Sequence, residues 1–240
     1  MKIVSWNVNG LKSILKKGKL NEVLVYDAIL LQETRTNEIL EIFSNFVVIS
    51  FPSKRKGYSG VMTVLKEQPK NVIKGIGIPE FDDEGRVITV DLGNFYLINA
   101  YFPRAGDNLS RLDFKLNFDN EFEKFMDTLR KEKPVIACGD FNAVTDLEKD
   151  STSKNERVPG LSPPERAWVN HILQKGYIDT FRLLYPDKIE YTWRSYRHKG
   201  TMMRLDYCIV SEELKSKVKD FQVLKIEGSD HYPILLEIEI

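Results

Sequence analysis

The sequence predicts an α/β or α+β fold in which β-sheets pack between helices, and three observations support this. Short apolar runs alternate with polar turns through all 240 residues. Helical periodicity is clear in only a few segments, so strands outnumber helices. No repeat, low-complexity stretch or Pro/Gly-rich linker divides the chain. We therefore expect a single domain over residues 1–240.

A series of short apolar segments has the length and composition of β-strands. The last one mostly alternates, with Leu235 and Ile238 beside the charged Glu237 and Glu239, as a half-buried strand should. The predicted strands are 3–6, 28–31, 47–51, 60–65, 87–92, 95–100, 135–138, 205–210, 218–226 and 234–240.

Two segments are predicted to be helices. Within 109–131, apolar residues recur on one helical face. Those residues are Phe118, Phe122, Phe125 and Leu129. A second helix follows Ser162, which is a good N-cap, while Pro163 suits the first helical position and Glu165 completes a capping box. Gly176 ends this helix.

Composition excludes several classes of protein. Lys plus Arg is 35 and Asp plus Glu is 35, so no whole-molecule field indicates a polyanion or a membrane as partner. Hydrophobic residues at 42% and charged residues at 29% are typical of a globular protein. The chain shows no signal peptide, transmembrane run or lipidation signal, which predicts a cytoplasmic protein. Cys138 and Cys208 lie in apolar runs and are predicted to be buried thiols in a reducing compartment.

Polar side chains cluster where the apolar strands end. The segments are Asn-Val-Asn-Gly (7–10), Gln-Glu-Thr (32–34), Tyr-Phe-Pro-Arg (101–104), Gly-Asp-Phe-Asn (139–142) and Ser-Asp-His-Tyr-Pro (229–233). Any one of them is explained as well by a turn, a cap or a solvated carboxylate. Together they indicate a ligand crevice at the strand ends of open sheets.

The chemistry of these clusters favours hydrolysis of a phosphoester. Glu33, Asp140, Asn142 and Asp230 offer hard oxygen ligands that suit Mg²⁺ or Mn²⁺. The sequence has no Cys/His cluster at zinc spacing, no P-loop and no Gly-x-Ser-x-Gly elbow, which disfavours a zinc site, a P-loop nucleotidase and a serine hydrolase. A hard metal beside His231 suits attack by an activated water.

At these residues the sequence resembles the exonuclease III family of apurinic/apyrimidinic (AP) endonucleases, within the endonuclease/exonuclease/phosphatase superfamily. The matching motifs occur in family order along nearly the whole chain. They are Trp-Asn-Val-Asn-Gly-Leu (6–11), Leu-Gln-Glu-Thr (31–34), Gly-Tyr-Ser-Gly-Val (57–61), Glu-Gly-Arg (84–86), Tyr-Phe-Pro (101–103), Gly-Asp-Phe-Asn (139–142), Pro-Pro-Glu-Arg (163–166), Tyr-Thr-Trp (191–193), Arg-Leu-Asp-Tyr (204–207) and Ser-Asp-His-x-Pro (229–233). The resemblance implies a deoxyribonuclease I-like, four-layer α/β sandwich: two mixed β-sheets face to face, helices outside, and the active site at one edge between the sheets.

The resemblance also implies a metal site and a catalytic set. Glu33 is implied to be the principal ligand of Mg²⁺, for which Mn²⁺ can substitute, helped by Asn9 and Asp230. The further oxygen donors implied at the metal are Asp140 and Asn142.

Catalysis is implied to depend on Asp140, which resembles the residue that activates the water or protonates the leaving oxygen. His231 resembles the histidine that contacts phosphate, oriented by Asp206, and Tyr101 resembles the tyrosine that donates to the scissile phosphate. Extra negative charge on a pentacovalent phosphorane would be stabilised by such donors. The residues implied to hold Asp140 and the phosphate are Asn7 and Asn142.

Three basic segments, some interleaved with aromatic residues, are suited to a phosphate backbone and an extruded sugar or base. They contain Lys12, Lys16, Lys17 and Lys19; then Lys54, Arg55 and Lys56 beside Tyr58; then Trp193, Arg194, Tyr196, Arg197, His198, Lys199 and Arg204. Taken alone, each basic segment is explained equally well as part of a solvent-exposed charged face of the protein. With the resemblance they predict a monomer that binds double-stranded DNA with abasic sites or 3′ ends. The candidate DNA-binding residues are Lys12, Tyr58, Arg104, Trp193, Arg194 and Met203.

The sequence departs from the family pattern around the implied abasic-sugar pocket. Arg104 stands where the family usually has Asn, and Arg194 stands where a second aromatic usually follows Tyr-Thr-Trp. Met202 and Met203 occupy a place often held by Gly-Trp, in a shorter segment. These changes predict a looser, more cationic pocket with broader substrate use, which Arg194→Trp should narrow.

Three functions remain open from the sequence. The first is a Mg²⁺-dependent phosphodiesterase of base excision repair that incises 5′ to an abasic site, with accompanying 3′-5′ exonuclease or 3′-phosphatase activity. The second is another superfamily phosphoesterase, acting on phosphoinositides, sphingomyelin or RNA. The third is an inert DNA-damage-binding module, against which the retained Glu33, Asp140 and His231 argue.

Overall fold

Most of the chain's strands belong to two large sheets in the computed structural model, which describes residues 1–197 and 199–240. The strands are β1 (Lys2–Asn7), β2 (Ala28–Gln32), β3 (Val47–Phe51), β4 (Val61–Leu65), β5 (Asn71–Lys74), β6 (Val87–Asp91), β7 (Tyr96–Tyr101), β8 (Val135–Asp140), β9 (Tyr177–Asp179), β10 (Trp193–Arg194), β11 (Met202–Met203), β12 (Asp206–Ser211), β13 (Val218–Val223) and β14 (Ile234–Ile238). The helices are α1 (Leu11–Lys16), α2 (Pro79–Asp82), α3 (Leu112–Arg130), α4 (Leu147–Asp150), α5 (Pro163–Gln174) and α6 (Thr180–Leu184).

The two large sheets each have six strands and mixed direction. The first has the order β13-β14-β1-β2-β4-β3, and the second has the order β5-β6-β7-β8-β12-β9. In each sheet one central pair is parallel, β1 with β2 and β7 with β8, and the other pairs are antiparallel. The short strands β10 and β11 form a separate antiparallel pair.

Side chains alternate along the strands between the core that the two sheets share and an outer core under the helices of each sheet, which produces four layers. Ile3, Leu30, Leu97 and Ile136 belong to the core between the two sheets. Their neighbours in sequence face outward: Val4 and Leu31 pack with α1 in one outer core, and Ile98 and Ala137 pack with α3 and α5 in the other. The predicted four-layer sandwich of two mixed sheets flanked by helices is therefore confirmed.

Both predicted helices are present. The helix predicted within 109–131 is α3, whose buried face includes Phe118, Phe122 and Leu129. The second is α5, which begins after Ser162 with the expected capping box to Glu165. The predicted strands are also present, although 218–226 and 234–240 end earlier than predicted. Several short elements were missed, among them β5 and α1, which have four and six residues.

The prediction that Cys138 and Cys208 are free thiols is wrong for this structure, because they form a disulfide. The two residues lie directly opposite each other in the antiparallel pairing of β8 and β12. Both side chains face the core between the sheets. The two cysteines are 70 residues apart in sequence, and their pairing depends on the register of β8 against β12, which the sequence alone does not show.

None of the helices among the described residues is long and apolar enough to cross a membrane. His198, which the sequence places in the third basic segment, lies outside the residues that the structure describes.

Candidate active site

The candidate site lies where the two parallel strand pairs end. Asn7 ends β1, Glu33 follows β2, Tyr101 ends β7 and Asp140 ends β8. Because both strands of a parallel pair end at the same edge of the sheet, these polar residues converge there. The structure thus brings together residues from both sheets at one edge of the sandwich.

A polar layer separates the site from the apolar core beneath it. Along the inward-facing row of β7, Leu97 is followed by Asn99 and then by Tyr101. Gln32 donates from Nε2 to Ser5 Oγ at 3.0 Å and to Asn99 Oδ1 at 2.8 Å, which joins the two sheets. All three of these polar residues are buried. Gln32 belongs to the predicted polar cluster 32–34, whereas Ser5 and Asn99 were not predicted, although a polar residue at an inward position of an apolar strand was the available signal.

Asn7 joins the two central carboxylates of the site. Its Nδ2 donates to Glu33 Oε1 at 3.0 Å and to Asp140 Oδ2 at 2.9 Å. Two anions would otherwise repel at such proximity, and a shared amide donor holds both in fixed positions. The sequence placed Asn7 with Asp140, and the structure adds the link to Glu33.

Glu33 is held as an open, ionised carboxylate. It accepts from the Tyr101 hydroxyl at 2.7 Å and from Arg35 at 2.7 Å, and its side chain is 17% exposed. Burial acts to raise the pKa of Glu33, but the hydrogen bonds from Asn7 and Tyr101 and the charge of Arg35 outweigh it and lower that pKa. Burial and the Glu33 charge raise the pKa of Tyr101 well above its usual value, so the phenol stays a donor.

His231 lies between two carboxylates. Its Nδ1 is 2.8 Å from Asp206 Oδ2, and its Nε2 is 3.7 Å from Asp140 Oδ2. Burial acts to lower the pKa of His231, but the charges of Asp206 and Asp140 raise it, which favours the imidazolium. Burial and the nearby Asp206 charge raise the pKa of Asp140, against the effect of His231. Thr192 fixes Asp206 by donating from Oγ1 to Oδ2 at 2.6 Å.

Asp230 directly precedes His231 in sequence and accepts hydrogen bonds from two other residues. Asn9 donates from Nδ2 to Asp230 Oδ1 at 2.9 Å, and Trp193 donates from Nε1 to Oδ2 at 3.1 Å. Burial acts to raise the pKa of Asp230, but the charge of His231 and these hydrogen bonds lower it. Asp230 is therefore ionised and oriented.

Three site residues adopt left-handed backbone conformations that are uncommon outside glycine. Asn9 has φ 48°, Glu33 has φ 49° and Asn142 has φ 50°. Asparagine tolerates this region better than glutamate does. Such conformations cluster at functional sites, where the surrounding contacts impose them. Here Asn142 donates from its backbone N–H to Asp140 Oδ1 at 2.9 Å and from Nδ2 to the Phe102 carbonyl at 3.0 Å.

The donor chemistry fits a divalent metal at Glu33. Its carboxylate is more open than those of Asp140 and Asp206, which are 1% exposed, and its lowered pKa keeps it charged. Asn9 lies beside it, since the Gly10 backbone N–H donates to the Glu33 carbonyl at 2.8 Å. Oxygen donors of this kind suit Mg²⁺. Asp140, Asp206 and His231 also offer ligand atoms within 4.8 Å of one another, but all three are buried and His231 Nδ1 is engaged by Asp206.

The structure places the predicted DNA-binding residues unevenly. Lys12 and Arg104 are exposed and pair with Glu38 and Asp107. The Tyr58 hydroxyl accepts from Arg111 at 2.8 Å. Their contact with DNA stays a prediction.

Met203 and Arg204 are not on the surface. Met203 is 1% exposed and packs in a small apolar cluster, so the structure gives no support for a direct DNA contact, and Met202 carries the exposed side chain. Arg204 is 1% exposed and bonds to Asp150 and Asp179, so its placement in a DNA-binding basic segment is wrong. A buried arginine paired with carboxylates looks the same in sequence as a surface arginine.

Trp193 and Arg194 face in different directions, as successive residues of a strand do. Trp193 bonds to Asp230 in the site. Arg194 instead pairs with Glu227 and donates to the Tyr232 hydroxyl at 2.8 Å. The Arg194 charge is therefore paired in this structure, and the more cationic pocket expected from Arg194 stays a prediction.

An arginine that the sequence analysis did not assign supports Tyr101. Arg86, 2% exposed, donates from Nη1 to the Tyr101 carbonyl at 3.0 Å, and its guanidinium lies 4.9 Å from the centre of the Tyr101 ring. The Glu-Gly-Arg motif (84–86) was the available signal.

Comparisons with known proteins agree with this fold. The sequence matches the model of the endonuclease/exonuclease/phosphatase family over residues 4–231. It is 35% identical over 258 residues to an exodeoxyribonuclease of Bacillus subtilis, covering 100% of both chains. It is 36% identical over 261 residues to a DNA-(apurinic or apyrimidinic site) endonuclease of Dictyostelium discoideum, covering 100% of this chain and 71% of the relative. A solved AP endonuclease structure from Leishmania major superposes with a TM-score of 0.88 at 26% identity, covering 100% of this chain and 87% of that one.

Proposed function

The chain belongs to the endonuclease/exonuclease/phosphatase family and is a hydrolase of the exodeoxyribonuclease and AP endonuclease type, and we propose that it is a Mg²⁺-dependent nuclease of base excision repair. In this proposal it cleaves the DNA backbone 5′ to an abasic site and leaves a 3′-hydroxyl. It also removes nucleotides or phosphate from 3′ ends. The single catalytic domain over residues 1–240, the monomeric state and the cytoplasmic location stay predictions.

The observation that carries the proposal is the shared contact of Asn7 with Glu33 and Asp140, beside the Asp206–His231 pair. An open carboxylate suited to a cation thus lies next to a buried acid–base group. Hydrolysis of a phosphodiester needs both: positive charge near the phosphate and a group that takes a proton from water.

Each residue has a defined task in this proposal. Glu33, with Asn9 and Asp230, would hold Mg²⁺, which would supply a Lewis acid that offsets the charge of the phosphate. Asp140, whose pKa is raised, accepts the proton of the attacking water. The His231 imidazolium and the Tyr101 hydroxyl donate to the phosphate oxygens as negative charge increases there.

Local positive charge supports DNA as the substrate class. The chain has no net charge, yet Lys12, Lys16 and Lys17 are exposed in and after α1, which begins two residues after Asn9. Such residues contact phosphates independently of sequence. The other family activities, on phosphoinositides, sphingomyelin or RNA, and an inert damage-binding module are alternative outcomes of the test below.

The test is cleavage of a 5′-labelled duplex that carries one tetrahydrofuran abasic analogue. With Mg²⁺ we expect a single cut 5′ to the analogue, and with excess EDTA we expect none. Matched duplexes with an intact recessed 3′ end or a 3′-phosphate measure the accompanying activities, and inositol phospholipid and RNA measure the alternatives. Asp140→Asn is the control, since it keeps the shape of the site and removes the proton acceptor. Full cleavage in EDTA, or by Asp140→Asn, contradicts the proposal, and binding of damaged DNA without cleavage favours the inert module.

A further inference from the structure

An ion pair lies in the interior of the protein directly behind the candidate site. Lys115 and Asp119, one turn apart on α3, are both 0% exposed, and Lys115 Nζ is 3.2 Å from Asp119 Oδ1. Asp119 Oδ2 has no hydrogen-bond partner among the described residues. The pair belongs to none of the motifs to which a role has been assigned.

The ammonium of Lys115 has one further partner, and it is in the site. Lys115 Nζ donates to the backbone carbonyl of Phe141 at 3.0 Å. Phe141 lies between Asp140 and Asn142, the two residues whose side chains the site needs. The Asn142 backbone, at φ 50°, depends on the contacts that hold this turn.

Aromatic rings surround the charge and exclude water from it. Lys115 Nζ lies 5.4 Å from the centre of the Phe102 ring, which stacks on the Phe141 ring at 4.3 Å. Phe118 also contacts Phe102, edge to face, at 5.2 Å. A hydrogen bond from a charged donor is stronger in such surroundings than in water.

We propose that Lys115 is a positioning residue: held by Asp119, its buried ammonium fixes the Phe141 carbonyl and thereby the turn that directs Asp140 and Asn142 into the site. The inference rests on the proposed function in that the turn positions those residues for phosphodiester hydrolysis. A buried ion pair is a poor device for stability alone, because well-packed apolar residues do as well or better. Only a buried donor, however, can bind the Phe141 carbonyl.

Three variants separate a positioning role of Lys115 from a contribution to stability alone. Lys115→Met leaves Asp119 buried without its partner, so it loses both stability and the turn contact. Lys115→Met combined with Asp119→Ala removes both charges, so we expect its melting temperature to recover while the turn contact stays lost. Lys115→Arg keeps the charge and the donor, so it should retain most of the activity.

The expected result is a fall in kcat of about 10²-fold on abasic duplex for the double variant, with little change in KM. Hydrogen–deuterium exchange of a peptide covering residues 139–145 should increase in the double variant, because the Asn142 backbone N–H then loses its fixed acceptor, Asp140 Oδ1. Lys115→Arg should keep kcat close to that of the unmodified protein and exchange unchanged.

Lys133 offers a matched control. Its Nζ is 2.6 Å from Asp91 Oδ2 and lies 5.1 Å from the centre of the Tyr96 ring, at the opposite end of β7 from Tyr101. Lys133→Met removes a lysine–carboxylate–aromatic arrangement of the same kind, away from the site. We expect it to change neither kcat nor the exchange of residues 139–145.

Two results overturn the inference. One is a double variant with the kcat and the exchange of the unmodified protein, which would make the pair purely structural. The other is a Lys115→Arg variant that folds but is as impaired as Lys115→Met. If the unmodified protein cuts no DNA, the proposed function fails, and exchange at 139–145 alone decides: unchanged exchange in the folded double variant rejects positioning by Lys115.

Discussion

Asp140, at the end of β8, lies directly opposite Asp206, at the start of β12, in the antiparallel pairing of those strands. His231 contacts both, at 3.7 Å and 2.8 Å. The His231 imidazolium lies between these two carboxylates and offsets the repulsion between them. The register of one strand pair therefore determines the acid–base chemistry of the site.

The first prediction follows from the dependence of His231 on Asp206. His231→Ala should lower kcat/KM on abasic duplex by about 10²–10³-fold, because it removes a charged donor to the phosphate. Asp206→Ala should cost less, since Asp206 acts by orienting and charging His231. Residues that act as a unit are not additive, so the double variant should be little worse than His231→Ala. Losses that multiply would show that the two residues act separately.

The second prediction concerns the disulfide, which the sequence did not predict. The disulfide joins β8 and β12 two residues beyond Asp140 and Asp206 on each strand. Protein purified without reductant and then denatured should show no free thiol. Cys138→Ala combined with Cys208→Ala should lower the free energy of unfolding by about 2–4 kcal/mol, as measured by urea unfolding.

The control for the disulfide is reductant. Dithiothreitol should lower the melting temperature of the unmodified protein and leave that of the double alanine variant unchanged. If the protein purified without reductant shows two titratable thiols after denaturation, the disulfide is contradicted and the sequence prediction of two buried thiols is supported.

The parts of the fold that could be predicted are those with a signal in a short stretch of sequence. The strand from 135 and the capping box at Ser162 are encoded by neighbouring residues, and both were located. β5 was missed because it has only four residues, Asn71 to Lys74, none of which is fully buried and which do not alternate between apolar and polar. Strand register is not local, which is why the Cys138–Cys208 pairing was not predicted.

The composition of the site was predictable, but its connections were not. The oxygen donors near Glu33 were identified from residue type and strand ends. The bridging contact of Asn7 depends on two sheets meeting, at a sequence separation of 133 from Asp140. Arg204 was assigned to a DNA-binding segment because residue type alone does not show whether a charged side chain is buried. Its partner Asp150 lies 54 residues away in sequence.

The third prediction uses that buried pair. Asp150 is 0% exposed and accepts from Arg204 Nε at 2.8 Å. Burial acts to raise the pKa of Asp150, but the charge and hydrogen bonds of Arg204 outweigh it and lower that pKa to about 2. A carboxyl whose folded-state pKa lies below its unfolded value of 3.8 stabilises the fold above pH 4 and loses that contribution as pH falls toward 2.

The contribution at neutral pH is on the order of 2 kcal/mol, of which about half is lost by pH 3. Asp150→Asn should therefore unfold at lower urea at pH 7 and show a smaller further loss between pH 5 and pH 3. Asp187→Asn is the control, because Asp187 pairs with Lys149 on the surface. This variant should change neither the urea midpoint at pH 7 nor the loss of stability between pH 5 and pH 3. An unchanged acid dependence in Asp150→Asn would mean that another carboxyl dominates acid unfolding.

The last prediction concerns substrate choice, which the sequence assigned to Arg194. In the structure the Arg194 charge is paired with Glu227, whereas Trp193 bonds to Asp230 and pairs as an isolated bridge with His231. The side chain that contacts the site is therefore that of Trp193, since Arg194 reaches Asp230 only through its backbone N–H. A large rigid ring beside the site leaves little room for a base, and its loss should admit nucleotides that still carry one. Trp193→Ala should raise the initial rate on an intact recessed 3′ end relative to the rate on abasic duplex, while Arg194→Trp should leave that ratio unchanged. A narrower range in Arg194→Trp, with no widening in Trp193→Ala, would restore the prediction made from the sequence and place the wall of the pocket at Arg194.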